Sequence, residues 1–264
     1  MTIKNHRLVG APYVASPNKS GKITPKFIVM HYTAGYTAQS AINTLTRKGS
    51  GVSAHVTVDL NGEITQHVPF NVKAWHAGPS RWMGYNGLNS HSIGLEIVNI
   101  GWLRSLGNGQ YQDAYGNRRT DADFPNGMVA APNARVGSGT LYWPNYTQEQ
   151  LHAVDALTAD LVGKYNIMDI VSHEEIDTRG WKTDPGPAFP MNLFKRHLAS
   201  DRGNDGERYE VTAGTLNMRG GPGTGFSING SAKRGEIVEV LERDGVWGRV
   251  DSDSWVHTSY LRRV

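Results

Sequence analysis

The segment from Ser172 to Phe189 constrains this chain more than any other, because one short loop carries an imidazole, an ammonium and a carboxylate. His173 and Asp184 can bind the same cation, and the Asp-Pro-Gly-Pro turn that begins at Asp184 would fix the direction of the carboxylate. A catalytic zinc usually takes three protein ligands and keeps a fourth position open for water. A third ligand must therefore come from a distant part of the chain, and His31 is the best candidate.

His31 stands at the end of a short apolar run, KFIVMHYTA. Such a run with β-branched members predicts a strand that is buried on both faces. The alternative for any single histidine is an ordinary hydrogen-bonded group in the core or on the surface. Spacing alone leaves both interpretations open, because nothing in the chain resembles the HExxH helix of zinc proteases.

Two further residues are candidates for catalysis. Glu96 lies in the middle of the apolar strand SIGLEIVNI. Burying a carboxylate there costs free energy unless it forms an ion pair or takes part in catalysis. Near a zinc-bound water it would act as general base and then as proton donor, and the alternative is a buried salt bridge or an edge residue of the sheet. Lys182, two residues before Asp184, could direct its ammonium at a developing oxyanion, and the alternative is a solvated loop lysine.

Four residues are candidates for contact with a substrate. His55 lies on a predicted hairpin strand, Trp75 and His76 belong to AWHAG, and Asn99 ends the strand of Glu96. The two histidines could instead support the metal ligands or be structural. Aromatic side chains could form a platform for sugar rings or pack in the core: Tyr32, Trp75, Trp82 and Trp143.

Length and composition limit the class of protein. The chain has 264 residues, a length that suggests one large domain or a domain plus a small module. Its 38% apolar and 19% charged residues fit neither a disordered nor a membrane protein. It has no cysteine, so a metal must be bound by His, Asp or Glu. A net charge of +3 favours encounter with polyanions without choosing among wall polymers, nucleic acid and lipid.

The pattern along the chain predicts two domains. We expect a catalytic domain over residues 1–198, beginning with an extended surface arm over 1–25. Residues 101–146 show no sustained period, which favours a groove-lining loop or disorder. A charged, glycine-containing linker is expected over 199–208, and the short alternating runs over 209–264 predict a small all-β barrel.

Local patterns also predict individual elements. A helix is expected over Ala38 to Thr46, and Asn61-Gly62 between alternating runs predicts a hairpin. The capping box that begins at Thr147 predicts a helix that ends near Tyr165. A last helix of this domain is expected over about Met191 to Leu198.

Between about Lys26 and Phe189 the chain resembles the type 2 N-acetylmuramoyl-L-alanine amidases, which are related to peptidoglycan recognition proteins. The resemblance rests on motifs in the same order: FIVMHYTA, SAHVTVDLNGEITQHV, AWHAG, SIGLEIVN, WPNYTQEQL, and SHEEI with KTDPGPAF. It implies an α/β fold, a mixed β-sheet flanked by helices. The loop between His173 and Lys182 is one residue longer than the family pattern.

The resemblance also implies site residues and a reaction. It implies zinc held by His31, His173 and Asp184, with Glu96 as the catalytic carboxylate and Lys182 stabilising the oxyanion. The implied reaction is hydrolysis of the amide between the lactyl group of N-acetylmuramic acid and L-alanine. The C-terminal segment resembles a bacterial SH3-like domain through TLNMRGGPGTGF, KRGEIVEVLE, WGRV and SWVHTSYL. This resemblance implies binding to the cell wall. The alternative is a module that only packs on the first domain.

These observations lead to a functional expectation. The N-terminus lacks the apolar run of a signal peptide, so we expect synthesis in the cytoplasm. Together with the wall-binding module, this predicts a phage or prophage endolysin that another agent releases to the wall. The alternatives are a cytoplasmic amidase that recycles muropeptides and a recognition protein that binds peptidoglycan without cutting it. The expected partner is peptidoglycan or a muropeptide, for a monomer with no nucleic acid and no membrane insertion.

Overall fold

The computed structural model describes residues 1–201, 207–251 and 254–264. It divides into two compact units, Met1–His197 and Leu198–Val264. Of the expected linker, residues 199–201 belong to a helix and 207–208 to a strand, while 202–206 lie outside the described residues. Within the described ranges, no helix has the length and apolar character needed to span a membrane.

The first unit is built from many short strands and a few helices. The strands are β1 Ile3–Lys4, β2 Arg7–Leu8, β3 Lys19–Lys22, β4 Phe27–Tyr32, β5 Val56–Val58, β6 Ile64–Gln66, β7 Val72–Ala74, β8 Arg81–Trp82, β9 Tyr85–Asn86, β10 Ser92–Ile97, β11 Leu103–Gly107, β12 Gln110–Asp113, β13 Arg118–Thr120, β14 Met128–Asn133, β15 Gly137–Pro144 and β16 Asp169–Ser172. The helices are α1 Ala38–Thr46, α2 Gln148–Lys164, α3 His173–Ile176 and α4 Met191–Asp201, with 3₁₀ turns at Leu88–Ser90 and Asp121–Asp123.

A five-stranded mixed sheet forms the centre of this unit, in the order β16-β4-β10-β5-β6. Strand β4 runs parallel to both β16 and β10. Its residues Phe27 to Met30 are completely buried, as expected for a parallel strand covered on both faces. The predicted buried strand, and the fold class of a mixed sheet flanked by helices, are confirmed.

The predicted hairpin and capping box are also confirmed. Strands β5 and β6 form the hairpin, and Gly62 in its turn has φ +80°. A Cβ at Gly62 would lie 2.6 Å from the carbonyl oxygen of Glu149, so this turn needs glycine both for its backbone and for its contact with α2. Thr147 and Gln150 make the capping box of α2.

The segment 101–146 is a folded sheet, which corrects the expectation of a loop or disorder. Its five strands are all antiparallel, in the order β13-β12-β11-β15-β14. Most of its side chains are exposed or only partly buried; β11, for example, has one buried residue, Leu103. A sheet with so little buried surface shows no apolar alternation, which explains why the sequence pattern did not reveal it. We call this the inserted sheet.

The N-terminal arm is more structured than expected. Strands β1 and β2 form a hairpin, and β3 pairs with β7. Ser16 and Asn18 are buried, and the Ser16 hydroxyl donates to the carbonyl of Leu45 at 2.6 Å. The polar composition of residues 1–25 concealed these contacts, because buried serine and asparagine hydrogen-bond to backbone groups instead of forming an apolar pattern.

The second unit is the predicted small all-β module. Its strands form one three-stranded and one five-stranded sheet. They are β17 Glu207–Val211, β18 Thr215–Arg219, β19 Ile228–Lys233, β20 Ile237–Val240, β21 Glu242–Asp244, β22 Trp247–Arg249, β23 Trp255–His257 and β24 Leu261–Arg263, with a 3₁₀ turn at Thr258–Tyr260. Buried Val211, Leu216 and Val256 belong to its core.

Candidate metal centre

Three side chains from distant parts of the chain converge at one edge of the central sheet. The Nδ1 atoms of His31 and His173 lie 3.0 Å apart, and each is 2.9 Å from Oδ2 of Asp184. All three residues are buried. The three ligand atoms therefore form a small, nearly equilateral triangle.

Parallel strands explain why these residues meet. His31 is near the C-terminal end of β4, and β16, which pairs with β4, ends at Ser172. Ser172 then caps α3, so that His173 leaves the sheet beside His31. Asp184 returns to this edge through the following loop, where its carbonyl accepts a hydrogen bond from the backbone N–H of Glu174 at 3.0 Å.

The donor set fits zinc. Two imidazole nitrogens and one carboxylate oxygen are typical zinc ligands, and tetrahedral zinc with bonds near 2.05 Å places ligand atoms about 3.3 Å apart. The distances of 2.9 to 3.0 Å need only a small expansion to reach that value. Within the described residues, this triad is the group of His and acidic side chains that could hold a metal ion.

The protonation states also suit a metal. Burial lowers the pKa of His31 to about 4, and the charge of His173 acts in the same direction. Burial by itself would raise the pKa of Asp184, but the hydrogen bond with His173 outweighs it and holds this pKa below the usual range. Near neutral pH the site therefore offers a neutral imidazole and a carboxylate, the forms that bind zinc.

A chain of hydrogen bonds fixes which nitrogen of His31 faces the triangle. The Ser92 hydroxyl donates to the carbonyl of Leu88 at 2.6 Å, so it accepts from Nε2 of His76 at 3.3 Å. His76 is neutral, because burial and then the charge of His31 lower its pKa. Its Nδ1 therefore accepts from Nε2 of His31 at 3.0 Å. This tautomer leaves the lone pair on Nδ1 of His31 free for a metal.

The catalytic candidates line the same cavity as the triangle. This cavity has a volume of about 500 Å³, and Glu96 and Lys182 both contribute to its wall. Glu96 pairs with His31 across β10 and β4, so both side chains leave the same face of the sheet. Burial, and then the charge of Asp184, raise the pKa of Glu96 to about 8, while Lys182 acts in the opposite direction.

The structure separates the four candidates for substrate contact. Trp75 and His76 line the cavity. His55 is completely buried; its Nε2 donates to the carbonyl of Val72 and its Nδ1 accepts from the backbone N–H of Gly94. His55 therefore lies in the core with its ring against that of His76, and contact of His55 with a substrate stays a prediction.

The side chain of Asn99 is hydrogen-bonded to backbone groups. It is buried, its amide donates to the carbonyl of Pro144 at 2.9 Å, and its Oδ1 accepts from the backbone N–H of Gly101 at 2.9 Å. Both polar groups of the side chain are thus used at the point where the inserted sheet joins the core. The substrate contact expected for Asn99 stays a prediction.

Among the aromatic candidates, Tyr32 and Trp75 line the cavity. Trp82 packs in the core against Phe27 and its neighbours, and Trp143 is buried with its indole N–H bonded to the carbonyl of Ala131. The sequence patterns did not indicate three aromatic residues that also line the cavity: Trp102, Tyr115 and Trp181. Two of these, Trp102 and Tyr115, belong to the segment 101–146, so the expectation that this segment lines a groove agrees with the structure, although no sequence pattern indicated which of its residues do so.

Ser92 and Asp177 were also missed from the sequence. The side chain of Asp177 is fully buried and accepts hydrogen bonds from the backbone N–H groups of Trp181 and Lys182 and from Arg179. Burial would raise the pKa of Asp177, but these bonds lower it to about 2. No local sequence pattern indicates the role of Asp177, because its hydrogen-bond partners lie in the loop that follows it.

A buried triad of two histidines and an aspartate that could hold a metal ion, on a mixed sheet and with a carboxylate and a lysine in the same cavity, fits the class of amide hydrolases. Residues 21–187 match the family described as N-acetylmuramoyl-L-alanine amidase, and this chain belongs to that family. Residues 214–262 match the bacterial SH3 domain.

Curated relatives agree with this assignment. The chain is 33% identical over 174 residues to the N-acetylmuramoyl-L-alanine amidase AmiD of Escherichia coli K12, covering 62% of this chain and 50% of AmiD. It is 31% identical over 150 residues to the 1,6-anhydro-N-acetylmuramyl-L-alanine amidase AmpD of Salmonella typhimurium, covering 56% of this chain and 58% of AmpD. The matched region thus spans about half the length of these relatives.

A crystal structure of a selenomethionine AmpD derivative has a TM-score of 0.53 to this chain at 24% identity, covering 75% of this chain and 99% of AmpD. This likeness shows the fold of the first unit.

Proposed function

We propose that this chain is a zinc-dependent N-acetylmuramoyl-L-alanine amidase that hydrolyses the lactyl-L-alanine amide of peptidoglycan. The observation that carries the proposal is the ligand triangle, which shares a cavity with Glu96 and Lys182. Membership of the amidase family supports the reaction, and the names of AmiD and AmpD support the substrate class.

The residues divide the chemistry among them. Zinc, when bound by His31, His173 and Asp184, supplies a Lewis acid for the scissile carbonyl and for water. Glu96 takes a proton from the attacking water and returns it to the leaving amine of L-alanine. Lys182 places its ammonium near the negative charge that develops on the carbonyl oxygen. A dication beside Glu96 would lower its raised pKa towards neutrality, the range in which a carboxyl exchanges protons with substrate.

Two settings for this reaction are open, and each has an observation in its favour. The similarity to AmpD, named for a 1,6-anhydromuramyl substrate, favours recycling of soluble muropeptides. The bacterial SH3 domain favours action on the intact wall, as in a phage or prophage endolysin. We propose the wall, because tethering the first unit to a polymer raises its effective concentration there, whereas a soluble fragment gains nothing from such a module.

The second unit carries a surface suited to this binding. The rings of Trp247, His257 and Tyr260 follow one another with centroids 5.2 and 5.6 Å apart, and Tyr260 is half exposed. Sedimentation of the full chain with purified cell walls tests the proposal. Tyr260→Ala should reduce the bound fraction several-fold, while cleavage of a soluble muropeptide stays unchanged. Equal sedimentation of both proteins would favour a module that only packs.

Product analysis on defined muropeptides tests the reaction. Mass spectrometry should find a free L-alanine amino terminus when zinc is present and none after treatment with a chelator. Bound muropeptide without released amine, in the zinc-loaded protein, would instead favour a recognition protein. A matched pair of substrates, an anhydromuropeptide and intact walls, then separates the recycling setting from the wall setting.

A further inference from the structure

The inserted sheet touches the loop that carries Lys182 and Asp184. Arg135 lies in the turn between β14 and β15, and its guanidinium donates through Nη1 to the backbone carbonyl of Lys182 at 2.8 Å. We propose that Arg135 is a positioning residue that holds the metal-binding loop in the geometry needed for zinc and substrate. This inference rests on the proposed function for its consequence, although the contact itself does not.

Charge strengthens the contact. Arg135 lies 3.6 Å from the carboxylate of Asp177 and 3.7 Å from that of Glu174, and its side chain is three-quarters buried, with a relative exposure of 25%. Asn133, two residues earlier along the chain, donates to both oxygens of Glu174 at 3.1 and 3.2 Å. The turn thus binds α3 and the following loop together.

Lys182 is held from both sides of its backbone. Its N–H donates to Oδ2 of Asp177 at 3.1 Å, and its carbonyl accepts from Arg135. Because Asp184 follows only two residues later, the same contacts restrict where its carboxylate reaches the triangle. Loss of Arg135 would free the carbonyl of Lys182 and leave the buried carboxylate of Asp177 with fewer partners.

The contact between Arg135 and Lys182 joins two parts of the chain that are far apart in sequence. The hydrogen bond joins residues 47 positions apart, between a sheet that lies outside the central core and a loop with little regular structure. A planar guanidinium can bind one carbonyl and two carboxylates together, whereas a lysine ammonium has no such fork. Partners one step removed from a metal commonly change its affinity by about 10- to 100-fold.

The experiment compares Arg135→Ala with Arg118→Ala, which removes an exposed arginine from β13 of the same sheet. In metal-free full-length protein, amide hydrogen exchange at Trp181 and Lys182 should become at least about 10-fold faster in Arg135→Ala. In the same variant, zinc affinity measured by chelator competition should fall about 10-fold, with a lower kcat and an unchanged KM. Arg118→Ala should match the wild type in every measurement.

Two results would overturn the proposal. If Arg135→Ala behaved like Arg118→Ala in hydrogen exchange, the contact would not hold the loop. If exchange rose but zinc affinity and kcat did not change, Arg135 would be structural only. Should Arg135→Ala fail to fold by circular dichroism, Arg135→Lys, which keeps the charge and loses the fork, takes its place, and the same two results would overturn the proposal. Failure of the wild type to bind zinc would refute the proposed function and leave the exchange test intact.

Discussion

The two five-stranded sheets of the first unit divide the work unequally. The central sheet is covered on both faces, and its strands present His31 and Glu96 side by side in register. The inserted sheet is exposed over most of its area; Tyr115 reaches the cavity wall, and Arg135 contacts the loop of Lys182. The buried sheet thus fixes the positions of the candidate ligand and catalytic groups, while the exposed sheet contributes through a few contacts.

The largest effect is expected at the ligand that the loop brings to the central sheet. Asp184→Ala removes the only carboxylate of the triangle and leaves two imidazoles that face each other at 3.0 Å. Zinc affinity should fall by more than the roughly 100-fold seen for outer partners, and hydrolysis should disappear. Inductively coupled plasma analysis after dialysis, together with a muropeptide assay, measures both. A variant that keeps one equivalent of zinc would contradict the triangle as the metal site.

Glu96→Gln tests the catalytic role of the central sheet without disturbing the ligands. The amide is nearly isosteric but cannot exchange the proton, so kcat should fall by about 10²- to 10⁴-fold while zinc stays bound. Single-turnover kinetics with measured zinc content separates the two effects. Full activity in this variant would remove Glu96 from the proton transfer.

Gly94→Ala tests how closely the central sheet supports its ligands. A Cβ at Gly94 would lie 2.5 Å from the His76 ring, so the ring must move and its bond to His31 must weaken. We expect about 10-fold weaker zinc binding and a loss of about 1–3 kcal/mol in the free energy of unfolding. Gly163→Ala in α2, where a Cβ meets nothing within 4 Å, is the control and should stabilise the protein by up to about 1 kcal/mol. Equal behaviour of the two variants would show that the ring has room to move.

The smallest effect is expected at Asp177, on the border between the two sheets. Because its pKa is lowered to about 2, the charged form stabilises the fold above about pH 4, and this contribution is lost as the pH falls through 2. Urea unfolding of the metal-free protein between about pH 5 and pH 2 should therefore show an acid-dependent loss that exceeds that of Asp177→Asn, by up to about 2 kcal/mol. An equal loss of unfolding free energy in the wild type and in Asp177→Asn would show that the Asp177 carboxylate does not contribute to the acid dependence.

The sequence predicted the central sheet well and the inserted sheet poorly, for a physical reason. Burial on both faces makes β4 a continuous apolar run, and His31 interrupts it visibly. In β11 and its neighbours, exposure removes the apolar pattern, and turns rich in glycine suggest a loop instead. Positions defined by partners far away in the chain, such as Arg135, His55 and Asn99, carry no local pattern that reveals whether they bind substrate or backbone.

The side chain of Asn99 bridges the place where the polypeptide departs from the core and the place where it comes back. Because Asn99 holds the two ends of the segment 101–146 together, a change in the length of this segment costs little additional loop-closure entropy. The junction can therefore accept inserted segments of different length. An exchange of this segment for another should therefore keep Asn99 at the junction and place an arginine equivalent to Arg135 against the loop of Lys182. Such chimaeras would vary the aromatic residues that the segment contributes to the cavity wall while leaving the ligand triangle unchanged.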